Sequence, residues 1–295
     1  MSLQKILVPT DFSRHSGEAV LTAKRLATAF DAELRLLHVT PPIEGASIPF
    51  ELYVPDGLSE AWSSKARALL EESHRALSGE GIEVSKELID DGSSVAEAVC
   101  GVSERWGADL VVMGTHGYSG IERGILGSTT EKTVGAASVP VLSVKAGHGW
   151  DRALRRILVP TDFSAESRRA VELAGAFAQA FEAEVDLLHV FELVPPAFLD
   201  IPIPDLDRDR MHEVARQEIS NEMKALEEQG VRVSFHVTTG DASREIVERA
   251  EGHETDLIVM GTRGRTRFRK WLLGSVATRV VRFAECPVMT CGVKE

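Results

Sequence analysis

The stretch Val111-Val-Met-Gly-Thr-His-Gly117 decides how the rest of the chain is interpreted. Its apolar start predicts a buried strand that ends at Gly114, and a loop then leads to Gly127-Ser128, where we expect a helix to begin. Glycines let backbone N–H groups approach an anion closely, and a helix N-terminus adds unpaired N–H groups and a favourable dipole. The stretch therefore predicts a loop that can hold phosphate.

The same pattern occurs a second time, as Val259-Met-Gly-Thr-Arg-Gly264 followed after nine residues by Gly274-Ser275. Both copies fit Gly-x-x-Gly-x9-Gly-Ser. In the same way, Lys5-Ile-Leu-Val-Pro-Thr-Asp-Phe-Ser13 returns as Arg156-Ile-Leu-Val-Pro-Thr-Asp-Phe-Ser164. Because the period is about 150 residues, far longer than that of a solenoid repeat, the repeat indicates the duplication of a whole domain.

Length and composition agree with two globular domains. The 295 residues suit two domains of ordinary size, and we place them at 1–146 and 155–295. The net charge of -12 argues against general attraction to nucleic acid or to an anionic membrane. No run of 18 apolar residues and no signal-peptide pattern is present, so we expect a cytoplasmic protein. The three cysteines, Cys100, Cys286 and Cys291, lack C-x-x-C spacing and are interpreted as small buried apolar residues.

Within each copy the hydrophobic pattern alternates between strand and helix. Ser13 is a candidate N-cap for the first helix, and Ser94-Val-Ala-Glu97 is a capping box that opens a later one. The segment 109–113 is almost continuously apolar, as a parallel strand covered on both faces should be. This order predicts an α/β fold in each copy, with a parallel sheet and helices on both faces.

The repeated motifs should meet at one edge of the sheet. Ligands of open parallel sheets bind beyond the carboxyl ends of the strands, where the strand order reverses. If the first strand is central, the loop Pro9-Thr10-Asp11 faces the loop that begins at Gly114. One loop offers a carboxylate that can accept hydrogen bonds from a ribose or a base, and the other offers phosphate-directed N–H groups. Together they predict a nucleotide site.

These motifs resemble the universal stress protein family. The Pro-Thr-Asp start, the Leu-His-Val second strand (Leu36-Leu-His-Val39 and Leu187-Leu-His-Val190) and the duplicated Gly-x-x-Gly-x9-Gly-Ser are similar to its ATP-binding branch, here as a tandem pair. The resemblance implies two doubly wound parallel five-stranded sheets of the adenine nucleotide alpha hydrolase-like type, with strand order 3-2-1-4-5. It also implies an intramolecular pseudo-dimer, with the fifth strand near 139–144 paired to that near 287–293.

The resemblance further implies which residues hold ATP, with ADP or AMP as alternatives and Mg2+ bound through the phosphates. Asp11 and the Val39 backbone would hold the adenosine end, and Gly127 with Ser128 the outer phosphates. The predicted residues of the first site are Pro9, Thr10, Asp11, Val39, Met113, Gly114, Thr115, His116, Gly117, Gly127, Ser128 and Thr129. Those of the second site are Pro160, Thr161, Asp162, Val190, Met260, Gly261, Thr262, Arg263, Gly264, Gly274, Ser275 and Val276.

Several of these residues also have simpler interpretations. Gly114 and Gly261 can merely end strands, Gly127 can merely start a helix, and Asp11 and Asp162 can act as helix caps, although capping and ligand binding are compatible. We interpret His38 and His189 as core histidines with satisfied rings. His116 lies in the loop, but its counterpart is Arg263, which favours a positioning role over catalysis.

The segment 263–271 is a basic cluster with aromatic residues, and the first copy has only Arg123 in this loop. A phosphate clamp, a solvated face and a nucleic-acid patch are its three interpretations, and the acidic chain makes the last the weakest. If the two sites differ, we expect the second to hold the more highly charged ligand.

The sequence favours an ATP-binding stress-response regulator with an unidentified protein partner and slow or no hydrolysis. We expect a monomeric pseudo-dimer or a homodimer. No Walker motif and no paired base and metal carboxylate are recognisable, so catalytic residues are not assigned. The alternatives are a nucleotide hydrolase or nucleotidyl transferase that uses His116 or Asp11, and a scaffold whose sites stay empty.

Overall fold

The computed structural model describes residues 3–40, 58–79, 81–115, 126–147, 153–192, 208–262 and 273–292. The described residues fall into two compact units, one on each side of residues 148–152. Each unit contains one copy of the repeated motifs. We describe them separately as the first and the second domain.

The first domain is a parallel sheet with four helices. Its strands are β1 (Lys5–Pro9), β2 (Glu33–Val39), β3 (Val84–Ile89), β4 (Leu110–Gly114) and β5 (Val141–Val144), and its helices are α1 (Arg14–Phe30), α2 (Leu58–Ser78), α3 (Val95–Trp106) and α4 (Ser128–Ala136). Neighbouring strands pair in parallel in the order β3-β2-β1-β4-β5. The predicted strand order is therefore confirmed.

The second domain repeats this arrangement. Its strands are β6 (Arg156–Pro160), β7 (Glu184–Phe191), β8 (Arg232–Thr239), β9 (Leu257–Gly261) and β10 (Val288–Cys291), and its helices are α5 (Ala165–Phe181), α6 (Arg208–Glu228), α7 (Ala242–Gly252) and α8 (Ser275–Phe283). Its strand order is β8-β7-β6-β9-β10, again all parallel.

Local sequence signals explain where the helices begin. Ser13 caps α1, since its hydroxyl accepts the Ser16 N–H at 3.3 Å. Ser94 and Glu97 form the predicted capping box of α3: the Glu97 N–H donates to the Ser94 hydroxyl at 3.4 Å, and the Ser94 N–H donates to the Glu97 carboxylate at 3.3 Å. Because these bonds satisfy N–H groups that a helix leaves unpaired, they fix both starts.

The core lies on both faces of each sheet. In β4, the consecutive residues Leu110, Val111 and Val112 are each at most 1% exposed. Consecutive strand residues point to opposite faces, so helices must cover both. Accordingly, α1 packs against β4, and α3 packs against α4. The doubly wound α/β fold is therefore confirmed.

The edge strand β3 or β8 makes a contact between ionisable side chains with the strand beside it, and these side chains differ between the domains. In the first domain the Arg35 guanidinium of β2 lies 3.4 Å from the Glu87 carboxylate of β3. At the equivalent places in the second domain, the Asp186 carboxylate lies 3.5 Å from the His236 imidazole. Burial and the nearby Arg249 guanidinium hold the pKa of His236 below its usual value, although Asp186 opposes them.

The cysteine prediction is confirmed for one residue and wrong for two. Cys291 at the end of β10 is buried, and this burial raises its pKa to about 12. Cys100 and Cys286 are only half-buried. Cys100 lies on α3 and Cys286 in the segment between α8 and β10, so an apolar neighbourhood in the sequence does not by itself set the depth of burial.

Candidate functional site

The loop after β1 is a compact turn held by side-chain oxygens. The Asp11 carboxylate accepts the Ser13 N–H at 3.0 Å, and the Thr10 hydroxyl accepts the Phe12 N–H at 3.1 Å. Thr10 also donates to the Ser16 hydroxyl at 3.1 Å. The turn therefore places Asp11 just ahead of α1, at the carboxyl end of a central strand.

The loop after β6 has the same hydrogen bonds. The Asp162 carboxylate accepts the Ser164 N–H at 3.1 Å, and the Thr161 hydroxyl accepts the Phe163 N–H at 3.1 Å. Thr161 and Ser167 are joined through their hydroxyls at 3.2 Å. The turn is thus a property of the repeated sequence rather than of one domain's surroundings.

Both turns contain a phenylalanine in the left-handed backbone region. Phe12 has a φ of 63°, and Phe163 has a φ of 62°. This conformation is strained for a bulky side chain, and strain that persists usually serves a functional site. Each ring stacks on a histidine of the next strand, with centroids 4.7 Å apart for Phe12 and His38 and 4.4 Å apart for Phe163 and His189.

These two histidines are tied to the turns. The Nδ1 atom of His38 lies 2.7 Å from the Thr10 carbonyl oxygen, and that of His189 lies 2.7 Å from the Thr161 carbonyl oxygen. A carbonyl oxygen can only accept, so Nδ1 carries the proton in both rings. This geometry agrees with the prediction of histidines whose rings are satisfied structurally.

The glycine loops of the two domains are closed by equivalent backbone hydrogen bonds. In the first domain the Gly127 N–H donates to the Thr115 carbonyl at 2.9 Å, and the Thr115 N–H donates to the Val144 carbonyl at 3.0 Å. In the second domain the Gly274 N–H donates to the Thr262 carbonyl at 2.8 Å. The helices α4 and α8 therefore start beside the ends of β4 and β9.

The helices α4 and α8 each begin after an N-cap glycine. Gly127 and Gly274 are the N-cap residues, and neither helix has a side-chain cap. Ser128 and Ser275, the first residues of the two helices, are exposed. An uncapped helix start with an exposed hydroxyl can accept an anion through backbone amides and the helix dipole.

In the first domain the structure places the turn after β1 and the end of β4 at the same edge of the sheet. Since β1 pairs in parallel with β4, both strands end at the same edge of the sheet. The first turn of α1 then lies against Gly114: a Cβ atom at this position would come within 3.0 Å of the His15 carbonyl carbon and oxygen. Only glycine allows this close approach without a shift of the backbone.

Most predicted site residues lie at the carboxyl edge of the sheet in their own domain. Pro9, Pro160, Gly114 and Gly261 are the last residues of β1, β6, β4 and β9, Val39 ends β2, and Val190 is next to last in β7. Met113, Met260, Thr10, Thr161, Thr115 and Thr262 are buried, whereas Asp11, Asp162, Thr129 and Val276 are half-buried. His116, Gly117, Arg263, Gly264 and the basic cluster 263–271 lie outside the described residues.

Sequence reasoning missed part of the turn. Ser16 and Ser167 bind the threonine hydroxyls of the two turns, and Phe12 and Phe163 adopt the left-handed backbone. A signal was available, because the repeat extends as Thr-Asp-Phe-Ser-x-x-Ser in both copies, from Thr10 to Ser16 and from Thr161 to Ser167.

Neither a metal-ion site nor a membrane-spanning helix is seen in the described part of the chain. There, no group of three His, Cys, Asp or Glu side chains is arranged to hold a metal ion. Among the helices of the described ranges, none combines the length and the apolar character needed to cross a bilayer.

Fold and site together define a tandem protein of two doubly wound α/β domains, each with an acidic turn and a glycine-capped helix at one sheet edge. The universal stress protein family model matches residues 2–145 and 153–292. The chain belongs to the universal stress protein family, in its tandem form.

Comparison with individual proteins agrees with this membership. A universal stress protein of Mycolicibacterium smegmatis is 32% identical over 293 residues, which cover 96% of this chain and 95% of that protein. A shorter universal stress protein of Methanocaldococcus jannaschii is 38% identical over 138 residues, covering 46% of this chain and 80% of that protein. The crystal structure of a universal stress protein from Archaeoglobus fulgidus has the same fold, with a TM-score of 0.73, 23% identity and full coverage of both chains.

Proposed function

We propose that this protein is an ATP-binding regulator of the stress response, with one adenine nucleotide site in each domain and slow or no hydrolysis. The observation that carries the proposal is the duplication of one arrangement. In each domain an acidic turn and an uncapped, glycine-started helix lie at the carboxyl edge of the sheet. The presence of both features in each domain supports one nucleotide site in each of them.

The chemistry of the two loops supports a nucleotide as the ligand. Asp11 and Asp162 sit in rigid turns, where a carboxylate can accept hydrogen bonds from ribose hydroxyls or a base. The first turns of α4 and α8 offer amides to phosphates, and Mg2+ would be bound through those phosphates rather than by a protein cage. ADP or AMP would use the same adenosine contacts as ATP.

The contacts of His38 and His189 support a regulatory rather than a catalytic role. In each ring Nδ1 donates to a backbone carbonyl and the ring stacks on phenylalanine, which supports a structural role rather than proton transfer. We propose that the bound nucleotide changes how the protein meets an unidentified protein partner in the cytoplasm. Nucleic acid and membrane are not expected as partners.

Mass spectrometry of the small molecules released from the purified, denatured protein tests the proposal. We expect adenine nucleotide in a ratio near two per chain, and added ATP should raise the melting temperature. Absence of both effects would leave the scaffold interpretation and overturn the proposal.

A single-turnover experiment separates the regulator from an enzyme. Excess protein is mixed with radiolabelled ATP and Mg2+, and the label is followed over time. Recovery of intact ATP supports the regulator. Rapid cleavage that is lost in an Asp11→Ala variant would establish a hydrolase instead.

A further inference from the structure

The starts of α4 and α8 differ in several side chains. One of these, Thr130 of α4, binds the last residue of β4. Thr130, the third residue of α4, is 2% exposed, and its hydroxyl donates to the Gly114 carbonyl at 2.9 Å. The equivalent residue of α8 is Ala277, which is also 2% exposed and has no hydroxyl. Among the described residues, a side-chain hydrogen bond between the helix start and the end of the strand is therefore found in the first domain and not in the second.

The backbone part of this connection is the same in both domains, so within the connection only the Thr130 hydroxyl differs. Gly127 donates to Thr115 at 2.9 Å and Gly274 donates to Thr262 at 2.8 Å. In α8 the neighbouring threonine, Thr278, donates to the Gly274 carbonyl of its own helix at 3.0 Å. Among the described residues, no side-chain hydrogen bond joins α8 to Gly261 or Thr262.

Gly114 is a firm anchor for the Thr130 hydroxyl. It ends β4, and its α-carbon lies so close to the His15 backbone that a Cβ atom would come within 3.0 Å of it. Since α1 packs against one side of Gly114, the Gly114 carbonyl has little room to move away from α4, which binds it through Thr130. The hydrogen bond therefore fixes the first turn of α4 relative to the sheet.

We propose that Thr130 is a positioning residue for the phosphates of the first site. By fixing the first turn of α4, it holds the amides of Ser128 and Thr129 ready for the anion before the ligand arrives. Preorganised donors bind more tightly because less order has to be created on binding. The hydrogen bond of Thr130 then raises the preference of the first site for ATP over adenosine. This inference rests on the proposed nucleotide function.

The test measures each site alone in the full-length protein. A background that combines Gly274→Glu, which puts a carboxylate at the start of α8, with Asp162→Ala, which removes the carboxylate proposed to hold adenosine, leaves the first site to be measured. In this background, isothermal titration calorimetry gives the dissociation constants of ATP and adenosine for Thr130, Thr130→Ala and Thr130→Ser.

We expect Thr130→Ala to weaken ATP binding about fivefold, as the loss of one neutral hydrogen bond implies, and to leave adenosine binding unchanged. Thr130→Ser, which keeps the hydroxyl, should restore the ATP affinity. An equal loss for both ligands, or no loss for either, overturns the inference, since a merely structural role would not separate them.

The reciprocal experiment adds the missing hydroxyl. In a background that combines Gly127→Glu with Asp11→Ala, Ala277→Ser should raise ATP affinity at the second site and leave adenosine affinity unchanged. An unchanged ATP-to-adenosine ratio overturns the claim that this position sets the difference between the sites. If the parent protein binds no adenine nucleotide at all, the proposed function fails first. If it binds ATP and the Thr130 variants show the parent ratio, only this inference fails.

Discussion

The first and second domains keep the same contacts at the carboxyl edge of their sheets and differ elsewhere. The turn before α1 and the turn before α5 agree in every side-chain hydrogen bond described above. At the outer strand, in contrast, Arg35 and Glu87 are replaced by Asp186 and His236. The side chains of this edge-strand contact are exchanged between the domains, whereas those that hold the turns are kept.

A second difference concerns the aromatic packing behind the turns. His189 is 8% exposed and stacks on Phe163. Its ring also lies perpendicular to that of Phe191, with the ring centroids 4.5 Å apart. His38 is half-buried and stacks on Phe12, and Thr40 occupies the place equivalent to Phe191. The same turn is therefore supported by a deeper cluster in the second domain.

The largest expected effect comes from blocking one site at a time. Gly127→Glu and Gly274→Glu each put a carboxylate at an uncapped helix start, where it would repel phosphate. We expect a loss of at least about a hundredfold in ATP affinity at the altered site, because like charges a few ångströms apart repel strongly. Equilibrium dialysis should show one nucleotide per chain for each variant and none for the double variant.

The matched controls are Gly127→Ala and Gly274→Ala. Neither glycine has a positive φ, so alanine fits the backbone and adds no charge. These variants should lose much less affinity than the glutamate variants. Two nucleotides bound with parent affinity by both glutamate variants would show that the loops are not the phosphate sites.

The next effect separates a required glycine from a dispensable one. Gly114→Ala should destabilise the first domain by about 1–3 kcal/mol, because the new Cβ meets the His15 backbone. Gly17→Ala is the control within α1, where a Cβ would have nothing within 4 Å, and it should stabilise by roughly 0.5–1 kcal/mol. Urea unfolding of both variants measures the two changes, and equal behaviour would contradict the close approach at Gly114.

The aromatic clusters give a smaller difference between the domains. His38→Ala and His189→Ala each remove one hydrogen bond to a turn carbonyl and one stacked ring. His189→Ala also loses the contact with Phe191, so it should cost about 0.5–1.5 kcal/mol more. Differential scanning calorimetry of the two variants provides the comparison, and a larger cost for His38→Ala would refute it.

The smallest effect is a pH dependence confined to the second domain. The pKa of His236 is held below its usual value, mainly by burial, so the unfolded chain takes up a proton before the folded domain does. The stabilising contribution is therefore complete above the unfolded pKa of about 6.5 and is lost as the pH falls through the folded pKa. His236→Gln should flatten the melting temperature of the second domain between roughly pH 7.5 and 5.5.

A steeper fall in the variant than in the parent would contradict this assignment. Glu87→Gln, at the equivalent place in the first domain, is the control, since the Arg35–Glu87 pair contains no histidine. Its pH dependence in that range should match the parent.

Local rules were enough for the framework of the fold. Ser13 and the Ser94–Glu97 capping box were readable because capping depends on residues three apart in sequence. The apolar run before Gly114 was readable because a strand covered on both faces has no polar side to show. The strand order came from the family resemblance rather than from these patterns.

The rest depends on contacts between distant residues. The hydroxyl of Thr130 reaches Gly114 across the whole loop, and nothing at either position marks the partner. The left-handed backbone of Phe12 could not be predicted either, because glycine is the usual residue in that conformation. Here the contact of the ring with His38 and the hydrogen bond from the Phe12 N–H to Thr10 compensate. Depth of burial was also out of reach, as Cys100 and Cys286 show.

The buried thiol of Cys291 gives the protein a chemical reporter of its own. Only the thiolate reacts readily, and a pKa of about 12 leaves almost none of it at neutral pH. Alkylation at this position must therefore wait for β10 to separate from the sheet. In a variant without Cys100 and Cys286, the alkylation rate would report how often the second domain opens. A ligand that stabilises this domain would lower that rate.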